Sequence, residues 1–271
     1  MTWNQHPAEI DGISFAHKTQ GEGPPLLLIH GVGPGTMGLA NFGPIVDRLA
    51  AHFTLHMIDL IGFGASGRKP VGPYFDVALW LRQIGVVLNA IGQPAFVLGN
   101  SIGAALALKA ASGNPRVRAV VAVGGPIAPF EMPAALRAFW SVPQDEAGLA
   151  AAMRPMTAAQ KEPDPALVAQ RFALFADAAF SAHFGALVAE GRAGLGHAVL
   201  TEAEAAAIIC PVTLVYGRDD RACPPDLILP QVTPLLPGAD AVLLGSCGHN
   251  VAFERGDALI TLVNLRFGAK P

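Results

Sequence analysis

The amino-acid sequence predicts a doubly wound, mostly parallel α/β sheet with an inserted helical cap. Two observations carry the prediction: short apolar runs alternate with helical patterns along most of the chain, and the alternation stops once, between Pro126 and Glu204. The runs are "PLLLIHG" (Pro25 to Gly31), "FTLHMIDLIGFG" (Phe53 to Gly64), "AFVLGN" (Ala95 to Asn100), "VRAVVAVGG" (Val117 to Gly125), "PVTLVYG" (Pro211 to Gly217) and "AVLLGSCG" (Ala241 to Gly248). All are apolar without alternation, as strands buried on both faces are, and all close on turn residues.

The helical patterns between them are "FGPIVDRLAAH", "VALWLRQIGVVLNAIG" and an alanine-rich segment after Ser101, with "AFERGDALITLVNLRF" near the end. This order suits parallel strands joined by crossover helices. From Pro126 to Glu204 only Ala/Leu/Phe helical stretches occur, broken by Pro and Gly. One has a clear start, with Asp164 as N-cap and Pro165 in the first helical position. The segment reads either as helices packed on a sheet face or, as preferred here, as a cap over the strands' carboxyl ends. The expected organisation is therefore a core from residues 1–125 and 205–271 with a cap from 126–204.

Composition sets the bounds. The chain has 271 residues, 52% hydrophobic and 14% charged, enough for a large core. A net charge of −3 with scattered Lys and Arg argues against a nucleic-acid partner. Gly, Pro or a charge interrupts every long apolar run, so no membrane span is expected. The start "MTWNQHPAEIDG" lacks the order of a signal peptide, which places the protein in the cytoplasm as an expectation. Cys210, Cys223 and Cys247 are odd in number and lack metal-type spacing, so neither a disulfide framework nor a zinc site is expected.

The chemistry-bearing stretch is Gly99-Asn100-Ser101-Ile102-Gly103, a G-x-S-x-G match between strand and helix. A tight corner exposes a serine hydroxyl, and the glycines leave room for the neighbouring backbone. The helix that follows aims its amino-terminal dipole at the same point. The bland alternative is a turn rich in small residues.

A serine nucleophile needs a base and an orienting carboxylate. Of eight histidines, His6, His17, His52, His56, His183 and His197 read as surface or packing residues. His249 follows the last apolar run, in a loop leading to the final helix. The acid candidates are Asp219 and Asp220 in "VTLVYGRDDRACP". Asp220 is chosen from its distance past Gly217, leaving Asp219 as a cap or surface residue. The glycine-rich loop "HGVGPG" adds backbone amides, and those of Val32 and Ile102 form the expected oxyanion hole. His30 braces that loop in this reading. Neither "GVGPG" nor "GFGASG" matches a nucleotide-binding loop, so no cofactor is expected.

With "HGVGPG", "DLIGFGASG", "GNSIG", "YGRDD" and "CGHN" in place, the chain resembles the α/β-hydrolase superfamily over nearly its whole length. Within it, "HGVGPGTMGLANF", the asparagine before the serine and "GRDDRACP" look most like the meta-cleavage-product hydrolases. These cleave a carbon–carbon bond in 2-hydroxy-6-oxo-dienoates. The resemblance implies a Ser101–His249–Asp220 triad, substrate contacts from Asn41 and Asn100, and Arg171 holding the dienoate carboxylate. It also implies a small carboxylate substrate and a homodimer. The bland alternatives are an exposed helix arginine for Arg171 and a helix N-cap for Asn41. Two positions depart from the family pattern: Asn250 stands where tryptophan is typical, and Arg221-Ala222-Cys223 where a large apolar residue is usual. The rival functions are an ester or lactone hydrolase, a small-molecule receptor, and a cofactor-free oxygenase or lyase on this fold.

Overall fold

The computed structural model describes residues 2–268. In chain order the elements are β1 (Asn4–Ile10), β2 (Ile13–Gln20), β3 (Pro25–Ile29), α1 (Gly38–Ala50), β4 (Thr54–Ile58), α2 (Val77–Ile91), β5 (Ala95–Asn100), α3 (Ile102–Ala111) and β6 (Val117–Val123). Helices α4 (Ala134–Phe139), α5 (Glu146–Met153), α6 (Pro165–Ala173), α7 (Ala178–Gly194) and α8 (Glu202–Ala206) follow. The chain then returns to the sheet with β7 (Val212–Gly217), α9 (Pro225–Val232), β8 (Asp240–Leu244), α10 (Val251–Glu254) and α11 (Gly256–Phe267).

The eight strands form one sheet in the order β1-β2-β4-β3-β5-β6-β7-β8, antiparallel at β1/β2 and β2/β4 and parallel elsewhere. The core strands explain why their sequences are continuously apolar. Leu26 and Leu28 of β3 face one core with Phe42, Ile45 and Leu49 of α1 and Val263 and Phe267 of α11. Leu27 and Ile29 face the other, with Trp80 and Ile84 of α2 and Leu106 and Leu108 of α3. With helices on both faces, no position along the strand is left for a polar side chain.

Three expectations need correction. Residues 4–20, left outside the sheet in the reading above, form a hairpin that carries His6 and His17 in strands β1 and β2. Its turn is Asp11-Gly12, with positive φ at both residues, as a two-residue hairpin requires. β1 escapes a search for apolar runs because it is an exposed edge strand. At the opposite edge, β8 is not buried on both faces: Leu243 is 46% exposed, since β8 has a neighbour on one side only. The last helical pattern breaks at Arg255 into α10 and α11.

His17 stacks between His6 and His56, with ring centroids 5.0 and 5.3 Å apart. Burial foremost, then mutual repulsion, lowers His17 and His56 to about 4, so both stay neutral near pH 7. They serve packing. The three cysteines are free. Among the described residues no single helix is long and apolar enough to cross a membrane.

Between β6 and β7 the described chain forms helices α4 to α8 and short 3-10 turns. Asp164 caps α6 by accepting from the Ala166 amide, with Pro165 in the first turn. The topology also locates the site. β3 leads through α1 to β4 on one side, while β5 pairs with β3 on the other, so a crevice opens beyond the carboxyl ends of β3 and β5.

Candidate active site

Ser101 sits at the corner between β5 and α3 with φ 57° and ψ −125°, a backbone conformation that L residues avoid. The glycines around it are required by close packing. A Cβ on Gly99 would lie 2.1 Å from the Gly103 carbonyl oxygen, and one on Gly103 would lie 2.1 Å from that of Ile29. Backbone cannot yield as a side-chain tip can. Gly103→Ala is therefore expected to cost about 3 kcal/mol or more of stability. Urea unfolding would measure this, and a loss below about 1 kcal/mol would contradict the packing argument.

The neighbouring loop, after β3, approaches as closely. A Cβ on Gly31 would lie 2.7 Å from the Ser101 Cβ. His30 holds this loop, with Nδ1 2.7 Å from the Gly31 carbonyl and Nε2 accepting from the Leu60 amide at 2.9 Å. Burial, the leading influence, lowers the His30 pKa, so the ring is neutral and suited to donating once and accepting once. Trp140, just past α4, donates to the Val32 carbonyl at 3.1 Å. Among the described residues, neither the Val32 amide nor the Ile102 amide donates a hydrogen bond. Both residues are buried beside the serine, as an oxyanion hole requires.

Asp220 and His249 follow β7 and β8. His249 Nδ1 lies 2.8 Å from Asp220 Oδ2, and both side chains are buried. Asp220 Oδ1 accepts from the Ala222 and Cys223 amides at 2.8 and 2.9 Å, which fixes the carboxylate's direction. Asp219 is exposed, and only its backbone joins this region, by donating to the Cys247 carbonyl. Burial pulls the His249 pKa down, but the charge and hydrogen bond of Asp220, aided by Glu254, hold it above the usual value. Ser101 and His249 line one cavity, yet no hydrogen bond joins them in this structure. Such contacts often tighten only when substrate fills the site.

The remaining candidates converge there too. Asn41 lies inside α1, whose N-cap is Met37, so the N-cap alternative does not hold. Asn41 Oδ1 accepts from the Gly31 amide at 2.7 Å and from Asn100 Nδ2 at 3.2 Å. Arg171, on α6, is 7% exposed rather than a surface arginine. Its Nη2 donates to the Ala40 carbonyl at 3.2 Å, while Nε is buried without a partner. Burial lowers the guanidinium pKa to about 10. No ion pair to Arg171 exists among the described residues. A buried cation with an orphan donor is costly unless an anion completes it.

The cavity itself is about 30 Å³ and is walled by Thr36, Phe139, Met153, Met156 and Asn250 besides the residues above. That is room for one or two waters. Of these walls only Asn250 was singled out from the sequence. Met153, Met156 and Phe139 carry no local motif, because their role depends on how the helices between β6 and β7 dock.

Comparison with known proteins places the chain in a family. The model of the alpha/beta hydrolase family matches residues 26–262. The 2-hydroxy-6-oxo-2,4-heptadienoate hydrolase of Pseudomonas putida strain F1 is 29% identical, covering 93% of this chain and 92% of that one. A 2-hydroxymuconate semialdehyde hydrolase of Pseudomonas putida is 30% identical over 90% of this chain and 87% of its own. The solved structure of 2-hydroxy-6-oxo-6-phenylhexa-2,4-dienoate hydrolase from Rhodococcus sp. strain RHA1 is 26% identical, covers 99% of both chains and superposes with a TM-score of 0.89. The chain belongs to the alpha/beta hydrolase family, and within it is similar to the meta-cleavage-product hydrolases.

Proposed function

We propose that this protein hydrolyses a carbon–carbon bond in a 2-hydroxy-6-oxo-dienoate, with Ser101, His249 and Asp220 as its triad. The observation that carries the reading is Arg171: a buried guanidinium with an unpaired donor lines the same cavity as the serine. An esterase acting on neutral substrates has no use for such a group. A carboxylate at one end of the substrate would pair with it and leave the far carbonyl at Ser101. The family relatives named above support the same substrate class.

In this mechanism the dienol first becomes a ketone by protonation at carbon. Ser101, giving its proton to His249, or a water activated by His249, then adds to the far carbonyl. The amides of Val32 and Ile102 receive the oxyanion, a contribution of about 3 kcal/mol per donor. When the carbon–carbon bond breaks, its electron pair spreads through the vinylogous carbonyl, and the fragment leaves as a dienol. A triad alone could not expel a carbanion from an ordinary ketone, so the substrate's conjugation is essential. One water is consumed overall: in the serine route it hydrolyses the acyl-enzyme and returns the proton to Ser101, and in either route the other product is a carboxylic acid. Asn41 and Asn100 hold the polar end in place.

The side chains beside Ser101 sharpen the substrate. Phe139 lies against the oxyanion loop, where a Cβ on Gly33 would come within 2.4 Å of its ring. With Met153 and Met156 it walls the space beside Ser101, and these side chains must move for any dienoate to bind, farthest for a phenyl ketone. Dienoates ending in hydrogen or methyl are expected to react at least tenfold faster, in kcat/KM, than the phenyl ketone. Following loss of the dienoate's visible absorbance across such a panel tests both claims. A phenyl preference would refute the size argument. Turnover of simple esters with no dienoate cleavage would refute the carbon–carbon reading and leave the triad.

A further inference from the structure

Outside the triad, one side chain ties the cap to the catalytic histidine. Glu254, at the end of α10, is half-buried, and its two carboxylate oxygens have different partners. Oε1 accepts from the Gly248 amide at 2.9 Å, next to His249. Oε2 accepts from the Ala158 amide at 2.8 Å, in the cap. Around this carboxylate the two segments join further. The Met156 carbonyl accepts from the amides of His249 and Asn250 at 2.9 and 3.2 Å. Arg221 Nη1 approaches the Thr157 and Ala158 carbonyls at 3.4 Å.

The fit is backbone against backbone. A Cβ on Gly248 would lie 2.8 Å from both the Ala158 nitrogen and the Thr157 carbonyl carbon. Residues 156–158 thus form a strap pressed on the histidine loop, and Met156 at its start also walls the cavity that holds Ser101. The position of His249 relative to Ser101 is consequently set from two sides: Asp220 orients the ring, and the strap holds the backbone that carries it.

We propose that Glu254 is a positioning residue whose carboxylate, gripping the Gly248 and Ala158 amides together, locks the 156–158 strap onto the histidine loop and aligns His249 with Ser101. The inference rests on the triad reading above. A charged acceptor suits the task, because hydrogen bonds from two amides to one carboxylate are stronger than those to a neutral group. Among the described residues no other side chain bonds both segments through their amides. Glu254 also acts on the ring electrostatically. The titratable or charged groups around His249 are Asp220 and Glu254, with Arg171 across the cavity, Arg221 against the strap, and Cys247, Asp219 and Arg255 in the adjoining turns. Of these, Asp220 and Glu254 favour the imidazolium.

The test compares Glu254→Gln and Glu254→Ala with the unaltered enzyme on whichever dienoate or ester it hydrolyses. Both variants are expected to lose roughly tenfold to a hundredfold in kcat with little change in KM, because the base is misplaced by a fraction of an ångström. Gln keeps one acceptor and should retain more activity than Ala. In both, the acid limb of kcat/KM should move to lower pH, since removing a negative charge makes His249 easier to deprotonate. A purely structural residue would not move that limb. Tryptic cleavage after Lys161, exposed just beyond the strap, should quicken in the alanine variant before global unfolding. Unchanged kcat, pH limb and cleavage rate in a folded Glu254→Ala protein would overturn the proposal, as would activity falling only in step with the unfolded fraction. If the unaltered enzyme were inert toward both substrate classes, the triad reading would fall instead, while the cleavage rate would still report on the strap.

Discussion

Ser101→Ala is expected to lower kcat by about 10⁴-fold or more while leaving the fold intact. In the proposed triad the nucleophile and its base act as a unit, so removing one forfeits most of the benefit of the other. What survives is binding and the proposed oxyanion amides, which belong to the backbone of Val32 and Ile102 and are untouched by the change. The substitution removes a single oxygen at a corner whose φ of 57° is already unfavourable. Alanine meets the same backbone constraint as serine, and stability should change by less than about 1 kcal/mol. Two measurements separate the outcomes: steady-state turnover of the preferred dienoate, and labelling by an organophosphonate that reacts with activated serines. Substantial turnover by the alanine variant would remove Ser101 from the mechanism and favour water activated by His249 alone, or a lyase or oxygenase reaction on this fold.

Arg171→Met is expected to make the protein more stable and less active at once. Methionine matches the length of the buried stem, and it removes a guanidinium with an orphan Nε and a pKa lowered to about 10 by burial. Relief of the buried charge is worth about 1–3 kcal/mol. At roughly 2–4 °C per kcal/mol for a chain near this size, Tm should rise by a few degrees. The same change deletes the pairing proposed for the substrate carboxylate. A charge-assisted hydrogen bond contributes about 1.5–3 kcal/mol, so KM for the dienoate should rise roughly tenfold to a hundredfold. Hydrolysis of a neutral ester should be nearly unaffected. Thermal melts with the hydroxydienoate product supply a separate check. The product should raise Tm in the unaltered protein and far less in the variant. A falling Tm with unchanged KM would show that the guanidinium serves packing rather than binding.

Both predictions rest on residues of unequal visibility. The corner at Ser101 is legible in the sequence because its constraints are local: Gly99 and Gly103 have carbonyls of Gly103 and Ile29 where a Cβ would go, so the motif and the geometry are one fact. The central strands are legible for a similar reason, since helices on both faces leave an unbroken apolar record. The edges are not. β1 is exposed and polar, and β8 lacks the burial expected of it, because an edge strand is covered less. For β1 the available signal was the Asp11-Gly12 turn.

The sequence by itself determined the layered sheet, the serine corner and a histidine in the loop after the last strand. Each follows from backbone sterics or from the period of apolar residues over a few positions. The sequence favoured Asp220 over its neighbour Asp219, but only the tertiary structure shows which of the two turns inward. Asp220 does, because the Ala222 and Cys223 amides hold its carboxylate, while Asp219 faces solvent. Tertiary packing alone also buried Arg171 of α6 against α1 and set Glu254 between Gly248 and Ala158. Those contacts join segments far apart in the chain. A side chain's own neighbours in sequence carry no trace of the partner that docking brings to it, and that is why the cap's share of the site had to be seen in space.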